Sequence, residues 1–277
     1  MRALRVWRKG SGEEAPGFYN RAAAPQETFS VKLSAVSPDR RKHRGAHPSD
    51  AELFAPEQLA RLRAATGDLS WLLARGYQTK SALKLVGDRY ALRERQRLAV
   101  ARAACAEEVC ARREARRVGP EEAAGADFAV DGFNLVITVE AALGGGVLVL
   151  CRDGCLRDLS SVHGSYRAVG ETERAVVLAG EALQELDPAS VLWLLDSPVS
   201  NSGRLAERIR GLAAGRGWPW EVEAVFNPDR RIVESGRVAV TSDSNVLDGA
   251  ARWLNLGRAV VERHVPRAWV VDFRVDF

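Results

Sequence analysis

Long apolar runs are absent from this sequence of 277 residues. The nearest, Gly146–Leu150 and Val191–Leu195, are strand-sized and fall far short of the roughly 18 residues of a membrane helix. No membrane partner is expected. The basic N-terminus runs into Lys9-Gly10-Ser11-Gly12-Glu13-Glu14 without the apolar core of a secretory signal. Cysteine is scarce: four residues do not make a disulfide framework, so a reducing cytoplasm is the expected location. Cys105/Cys110 and Cys151/Cys155 are spaced five and four apart, which is not the CxxC of a zinc ribbon, and only four His are available to complete a site. The thiols read as structural. Lysine is rare too, since Arg supplies 35 of the 40 basic residues. P-loop, GxGxxG and first-strand DxD signatures are missing, which removes the familiar nucleotide-binding and phosphotransfer patterns.

What is present is an uneven charge distribution. Residues 1–117 carry 24 Lys/Arg against 13 Asp/Glu, and residues 118–277 carry 16 against 23, so the net +4 joins a basic half to an acidic one. Residues 1–46, with Arg40-Arg41-Lys42-His43-Arg44, lack periodicity and read as a disordered basic tail. Residues 47–117 read as a small helical domain. Leu59, Leu62, Leu69, Leu72 and Leu73 recur at helix-like spacing, with a break expected at Gly67, a turn at Arg75-Gly76-Tyr77 and an interruption at Gly87-Asp88. One long helix is expected from about Ala91 to Arg117. Gly119-Pro120 opens a linker over 118–125.

Beyond the linker, residues 126–277 alternate apolar strands with amphipathic helices. Strands are predicted at Phe128–Val130, Val147–Leu150, Val191–Leu195, Val222–Phe226, Val238–Val240 and Trp269–Val271, with helices at about Leu135–Leu143, Thr172–Leu186, Gly203–Ala214 and Asn245–Val261. That rhythm predicts an α/β fold with a mostly parallel sheet covered by helices on both faces.

Three of these strands end in an acid: Asp131, Asp196 and Asp243. Ligand sites of open α/β sheets lie beyond the carboxyl ends of the strands. If the three strands are parallel neighbours, their carboxylates converge, and like charges held together call for a cation or a proton. Hard oxygen ligands suit Mg²⁺ or Mn²⁺, which serve phosphodiester hydrolysis. Asp is equally a common helix N-cap, so strand order decides between the readings. Asp248, five residues past Asp243, is a candidate fourth acid and metal ligand. Asn134 either helps the first-strand loop near the metal or caps the following helix. Glu140 reaches the crevice only if its helix tilts over it.

Ser200, Asn201 and Ser202 precede a helix and can offer N–H groups to a phosphate, or simply cap it. Asp153-Gly154 reads as the corner of a turn, and His163-Gly164-Ser165-Tyr166-Arg167 as a following loop flanked by Arg157 and Arg167, with phosphate contact or an acid/base His as the sharper readings and a plain surface loop as the bland one. In the helical domain Lys80, Lys84, Arg95 and Arg97 are candidate contacts to a nucleic-acid backbone.

Two stretches carry a resemblance. Arg75-Gly76-Tyr77, Lys80 through Tyr90 and Arg95-Gln96-Arg97 resemble a helical domain of unknown function (family 434). Val130 through Glu140, Asp196 through Gly203 and Thr241-Ser242-Asp243-Ser244 resemble its usual companion domain (family 5616), and together these span about residues 48–260. At a coarser level the second half resembles the PIN/NYN group of metal-dependent nucleases. That resemblance implies a three-layer αβα sandwich, a divalent ion, RNA cleavage, and catalytic or metal-binding roles for Asp131, Asn134, Asp196 and Asp243. One departure is that Asn245 and Asp248 follow the late Asp where PIN nucleases often carry a closer acid. The expected function is a divalent-metal-dependent nuclease with a basic helical module and RNA as partner. A catalytically inactive nucleic-acid-binding or regulatory protein on the same fold is the alternative, and a small-molecule phosphohydrolase a second.

Overall fold

The computed structural model describes residues 43–160 and 164–274. Helices come first: α1 (Asp50–Leu53), α2 (Pro56–Ala74), α3 (Thr79–Arg89), α4 (Glu94–Ala103), α5 (Glu107–Glu114) and α6 (Pro120–Ala123). Pro56 starts α2 at a position where a missing N–H costs nothing. Gly76, with φ +77, makes the expected turn after it.

Three sequence expectations fail in this half. Gly67 does not break α2, because a side chain there would meet open space and Ala65 and Leu69 beside it are buried. Gly87-Asp88 stays inside α3, where the Arg97 guanidinium lies where a Cβ would be. The long helix from Ala91 to Arg117 is instead α4 and α5. Its ladder is interrupted at Cys105, whose N–H bonds to Ser70 Oγ at 3.2 Å, while Ala103 O accepts from Arg152 N at 3.1 Å. Tertiary partners replace the intrahelical ones there.

The second half runs β1 (Asp127–Asp131), α7 (Gly132–Leu143), β2 (Val147–Leu150), β3 (Leu156–Asp158), α8 (Thr172–Gln184), β4 (Ser190–Asp196) and α9 (Ser202–Arg216). It continues with β5 (Trp220–Val225), α10 (Pro228–Glu234), β6 (Val238–Val240), α11 (Ser244–Gly249), β7 (Trp253–Leu254), α12 (Leu256–His264) and β8 (Trp269–Asp272). The predicted Asn245–Val261 helix is thus two helices around a short strand.

Five strands form a sheet in the order β5-β4-β1-β6-β7, every pairing parallel. Alternate side chains face opposite layers, as a pleated strand requires. Phe128 and Val130 pack with α7, α8, α9 and α12; Ala129 packs with Ile232, Val246 and Leu247 of α10 and α11. Helices therefore cover both faces.

Sequence alone does not reveal that β2 and β8 leave this sheet. They join β3 in a second sheet of order β3-β2-β8, in which β2 runs parallel to β8 and antiparallel to β3. One face of it, with Val147, Val149 and Val271, shares a core with Leu62, Leu69, Val86 and Val100 of the helical half. The other, with Leu148 and Leu150, packs on Ala141 and Val261. Residues 118–125, expected as a linker, are built into this body: Val118 N bonds to Trp253 O at 2.9 Å, and Ala123 is fully buried.

The expected tail lies outside the described residues up to position 42. From His43 onward it packs, and Arg44 is buried against α7. Among the described residues, no helix is long and apolar enough to cross a membrane. All four cysteines are free, and Cys105, Cys151 and Cys155 are buried.

Candidate active site

Adjacent places for β4, β1 and β6 bring three strand ends side by side: Asp196 ends β4, Asp131 ends β1, and Asp243 lies three residues past β6. Asp131 closes β1 and caps α7, its Oδ1 accepting from Asn134 N at 3.3 Å. The next residue must be small: a Cβ on Gly132 would lie 2.6 Å from Leu195 Cδ2 and 3.1 Å from Leu194 O of β4. Asp243 caps α11, its Oδ1 accepting from Asn245 N at 2.8 Å and Val246 N at 3.3 Å. Asp131 and Asp243 are thus both helix caps, at the ends of neighbouring strands. Asp196 ends β4 half-buried.

Thr241 and Asn134 lock the ends of β1 and β6 together. Thr241 Oγ1 donates to Asp131 Oδ2 at 2.8 Å and accepts from Asp243 N at 2.9 Å. Asn134 Oδ1 accepts from both Ser242 N and Ser242 Oγ, at 2.8 and 2.9 Å.

A fourth acid belongs to the group. Asp229 stands in the first turn of α10, which Asn227 caps by accepting from Arg230 N at 3.2 Å. Burial, then the Asp243 and Asp196 charges, push its carboxyl up to about 6. Burial, then Asp243 and Asp229, push Asp131 up to about 7, against the opposing bonds from Thr241 and Asn134. Burial alone raises Asp196. Neighbouring carboxylates thus act on Asp131 and Asp229, and among the described residues no ion pair reaches any of the four.

Elsewhere the chain supplies arginine to its buried acids. Asp50 holds Arg95, Glu140 holds Arg44, and Asp153 holds both Arg113 and Arg157. The strand-end acids are the exception. Among the described residues, no three His, Cys, Asp or Glu side chains stand close enough together to hold one metal ion in this arrangement.

Several expected site residues lie elsewhere. Asp248 does not join the four; its two oxygens accept from Arg113 Nε and Nη2 at 2.8 and 3.0 Å. Glu140 is fully buried with Arg44, and Tyr166 donates to its Oε1 at 2.5 Å, so it does not reach the crevice. Arg157 is no surface phosphate contact. It is buried on β3, pairs with Asp153 and donates from Nε to Ser242 O at 2.7 Å, bracing the loop that carries Asp243. Arg95 is tied to Asp50 and to Leu159 O, and Arg97 to Asp88 and Leu92 O. Lys84 is exposed but paired with Asp88, and Lys80 is exposed.

Ser200, Asn201 and Ser202 make internal bonds to the neighbouring loop and to the turn after β4. Ser200 exchanges backbone bonds with Gly164 and Tyr166, Asn201 Nδ2 donates to Tyr166 O at 2.8 Å, and Ser202 Oγ donates to Ser197 O at 3.4 Å. Arg167 is exposed in that loop, where its carbonyl accepts from Arg44 Nη2 at 3.2 Å. His163 lies outside the described residues.

Fold and site together define a mixed α/β protein with a group of acids at the carboxyl edge of a parallel sheet, none of them in an ion pair among the described residues. The chain belongs to the family described as "Domain of unknown function (DUF5616)", whose model matches residues 120–259. Residues 61–116 match "Protein of unknown function (DUF434)". A relative described as "Uncharacterized protein MJ0935", from Methanocaldococcus jannaschii, is 31% identical over 186 residues, which are 67% of this chain and 88% of the relative. No solved structure matches the chain.

Proposed function

We propose that this chain is a divalent-metal-dependent phosphodiester hydrolase acting on nucleic acid, RNA before DNA, in the manner of the PIN/NYN nucleases. One observation carries the reading: the neighbouring parallel strands β4, β1 and β6 lead to Asp196, Asp131 and Asp243 at one edge, Asp229 lies near them, and among the described residues no basic side chain pairs with any of the four. Desolvated like charges are costly unless a cation resolves them. The donors are hard oxygens, which suit Mg²⁺ or Mn²⁺.

To hold the ion, Asp131, Asp196 and Asp243 would have to draw closer together than they stand in this arrangement. When bound, the ion would supply positive charge for the phosphoryl oxygens and for the attacking water. Asp229, with a carboxyl titrating near 6, is our candidate to accept the proton of that water. Thr241 and Asn134 would fix the geometry of the β1 and β6 ends. Because Arg95, Arg97 and Arg102 are engaged in internal bonds, phosphate contacts of the substrate are better sought at the rim. Arg204, Arg230 and Arg231 are exposed there.

The test is cleavage of end-labelled single-stranded RNA with Mn²⁺, Mg²⁺ or EDTA, by wild type and by Asp131→Asn combined with Asp243→Asn. Cleavage that needs the metal and is lost in the double variant is expected. The spread of the four carboxylates favours a second reading, a binding protein without catalysis. Salt-sensitive RNA binding with no cleavage under any metal would select it, whereas turnover of a mononucleotide but not RNA would select a small-molecule phosphohydrolase.

A further inference from the structure

Phe226 is the most exposed large apolar side chain among the described residues, at 81%. It stands one residue past the end of β5, and its placement is fixed from both sides. Val225 pairs with Asp196 in the parallel ladder, and Val225 O accepts from Ser197 N at 2.8 Å. Asn227 then adopts the left-handed conformation, φ 56 and ψ 66, and caps α10, whose first residue, Pro228, is buried. The phenyl ring thus belongs to the same edge as Asp196 and lies three residues before Asp229.

Scattered exposed apolar residues are common and mean little singly. Phe226 differs by location. It follows the strand that pairs with Asp196, on a turn that Asn227 closes in the left-handed region, which asparagine tolerates. A nucleobase is a flat apolar partner for such a ring, and stacking is tolerant of base identity because every base presents a π face. Arg230 and Arg231 follow on α10, both exposed, with Arg230 paired to Glu234.

We propose that Phe226 is a stacking platform for one nucleobase of the substrate, flanking the phosphodiester bound at the acidic edge. This rests on the nucleic-acid reading of that edge. It makes Phe226 a specificity-determining residue: an unpaired base must be available at one fixed offset from the scissile bond. An abasic nucleotide at that offset would be handled poorly.

The experiment walks 2-aminopurine, and in parallel an abasic nucleotide, along a short single-stranded RNA. Binding is measured for wild type, Phe226→Ala, Phe226→Trp and Phe226→Leu with Ca²⁺, and cleavage with Mn²⁺. Expected are fluorescence quenching at one position, about tenfold or greater loss of affinity in Phe226→Ala, retention in Phe226→Trp, and loss in Phe226→Leu despite its similar apolarity. The abasic substrate should bind wild type and Phe226→Ala alike. Equal binding and cleavage of the normal RNA by wild type and Phe226→Ala, with no preferred position, overturns the stacking role while leaving the hydrolase reading intact. Position-specific quenching without cleavage under any metal supports the stacking role and removes the hydrolase reading. If the RNA neither binds nor is cleaved, both are overturned.

Discussion

Thr241 Oγ1 donates to Asp131 Oδ2 at 2.8 Å, joining the residue that follows β6 to the last residue of β1. The hydroxyl also accepts from Asp243 N, so one buried side chain sets the spacing of two strand-end carboxylates. Thr241→Val keeps the shape and removes both bonds. The Asp131 titration midpoint should rise further above about 7, because the bond that favours the carboxylate is gone. Stability should fall by about 1–3 kcal/mol from the unsatisfied Asp243 amide. Chemical denaturation and NMR titration of the Asp131 carboxyl read the two effects; an unmoved midpoint would show that the hydroxyl does not tune this acid.

Metal-free protein should lose stability as pH rises from about 4 to 7. Asp131 and Asp229 titrate near 7 and 6 in the folded chain but near 4 when unfolded. The folded state binds more protons in that window, so each proton released at higher pH disfavours it. Urea midpoints at a series of pH values in EDTA check this. Asp131→Asn should flatten the slope and be the more stable protein at pH 7.5.

Asp229→Asn should lower RNA cleavage by about 10²-fold or more if this carboxylate takes the proton of the attacking water. In the wild type the rate should climb with pH through about 6, as Asp229 loses its proton. That limb should vanish in the variant. A variant with unchanged pH dependence would move the base elsewhere.

Arg113 is buried and holds Asp153, Asp248 and Ser244 O. Arg113→Met should cost about 3–5 kcal/mol, since Asp153 is left buried with one of its two cations. Asp248→Asn should cost much less, because Asp248 is exposed and keeps acceptor oxygen for the guanidinium. Denaturant midpoints for the two variants give the comparison.

Arg44→Ala should destabilise by a similar amount, about 3–5 kcal/mol, by stranding the fully buried Glu140. The double variant Arg44→Met with Glu140→Gln should recover much of the loss. Additive losses in that pair would show that the ion pair is not the source.

The acidic edge was legible because its strands are central: apolar runs lead directly into Asp131 and Asp196, and into Asp243 after Thr241-Ser242. Asp229 was not, for a physical reason. β5 is an edge strand with half-exposed side chains, so it carries no solid apolar run, and an acid in a first helical turn reads as dipole compensation. Three features could have flagged it, namely the exposed Phe226, the Asn-Pro that follows and the acid next to it. Arg157 was misplaced because a three-residue strand after Asp153-Gly154 looks like the arm of a surface turn, whereas burial of β3 converts its arginine into an internal brace. The basic helical half misled in the same way. Charge counts register Arg95, Arg97 and Arg113, but not the carboxylates that approach them from distant parts of the chain.

The face of the second sheet that carries Val147, Val149 and Val271 is roofed by side chains from the helical half. A gene encoding the later segment alone would leave that face wet and strip Asp153 of one of its arginines. The two segments therefore constrain each other's evolution: neither can be shuffled into another protein without a substitute roof. Their pairing along one chain is a condition of solubility before it is a matter of function.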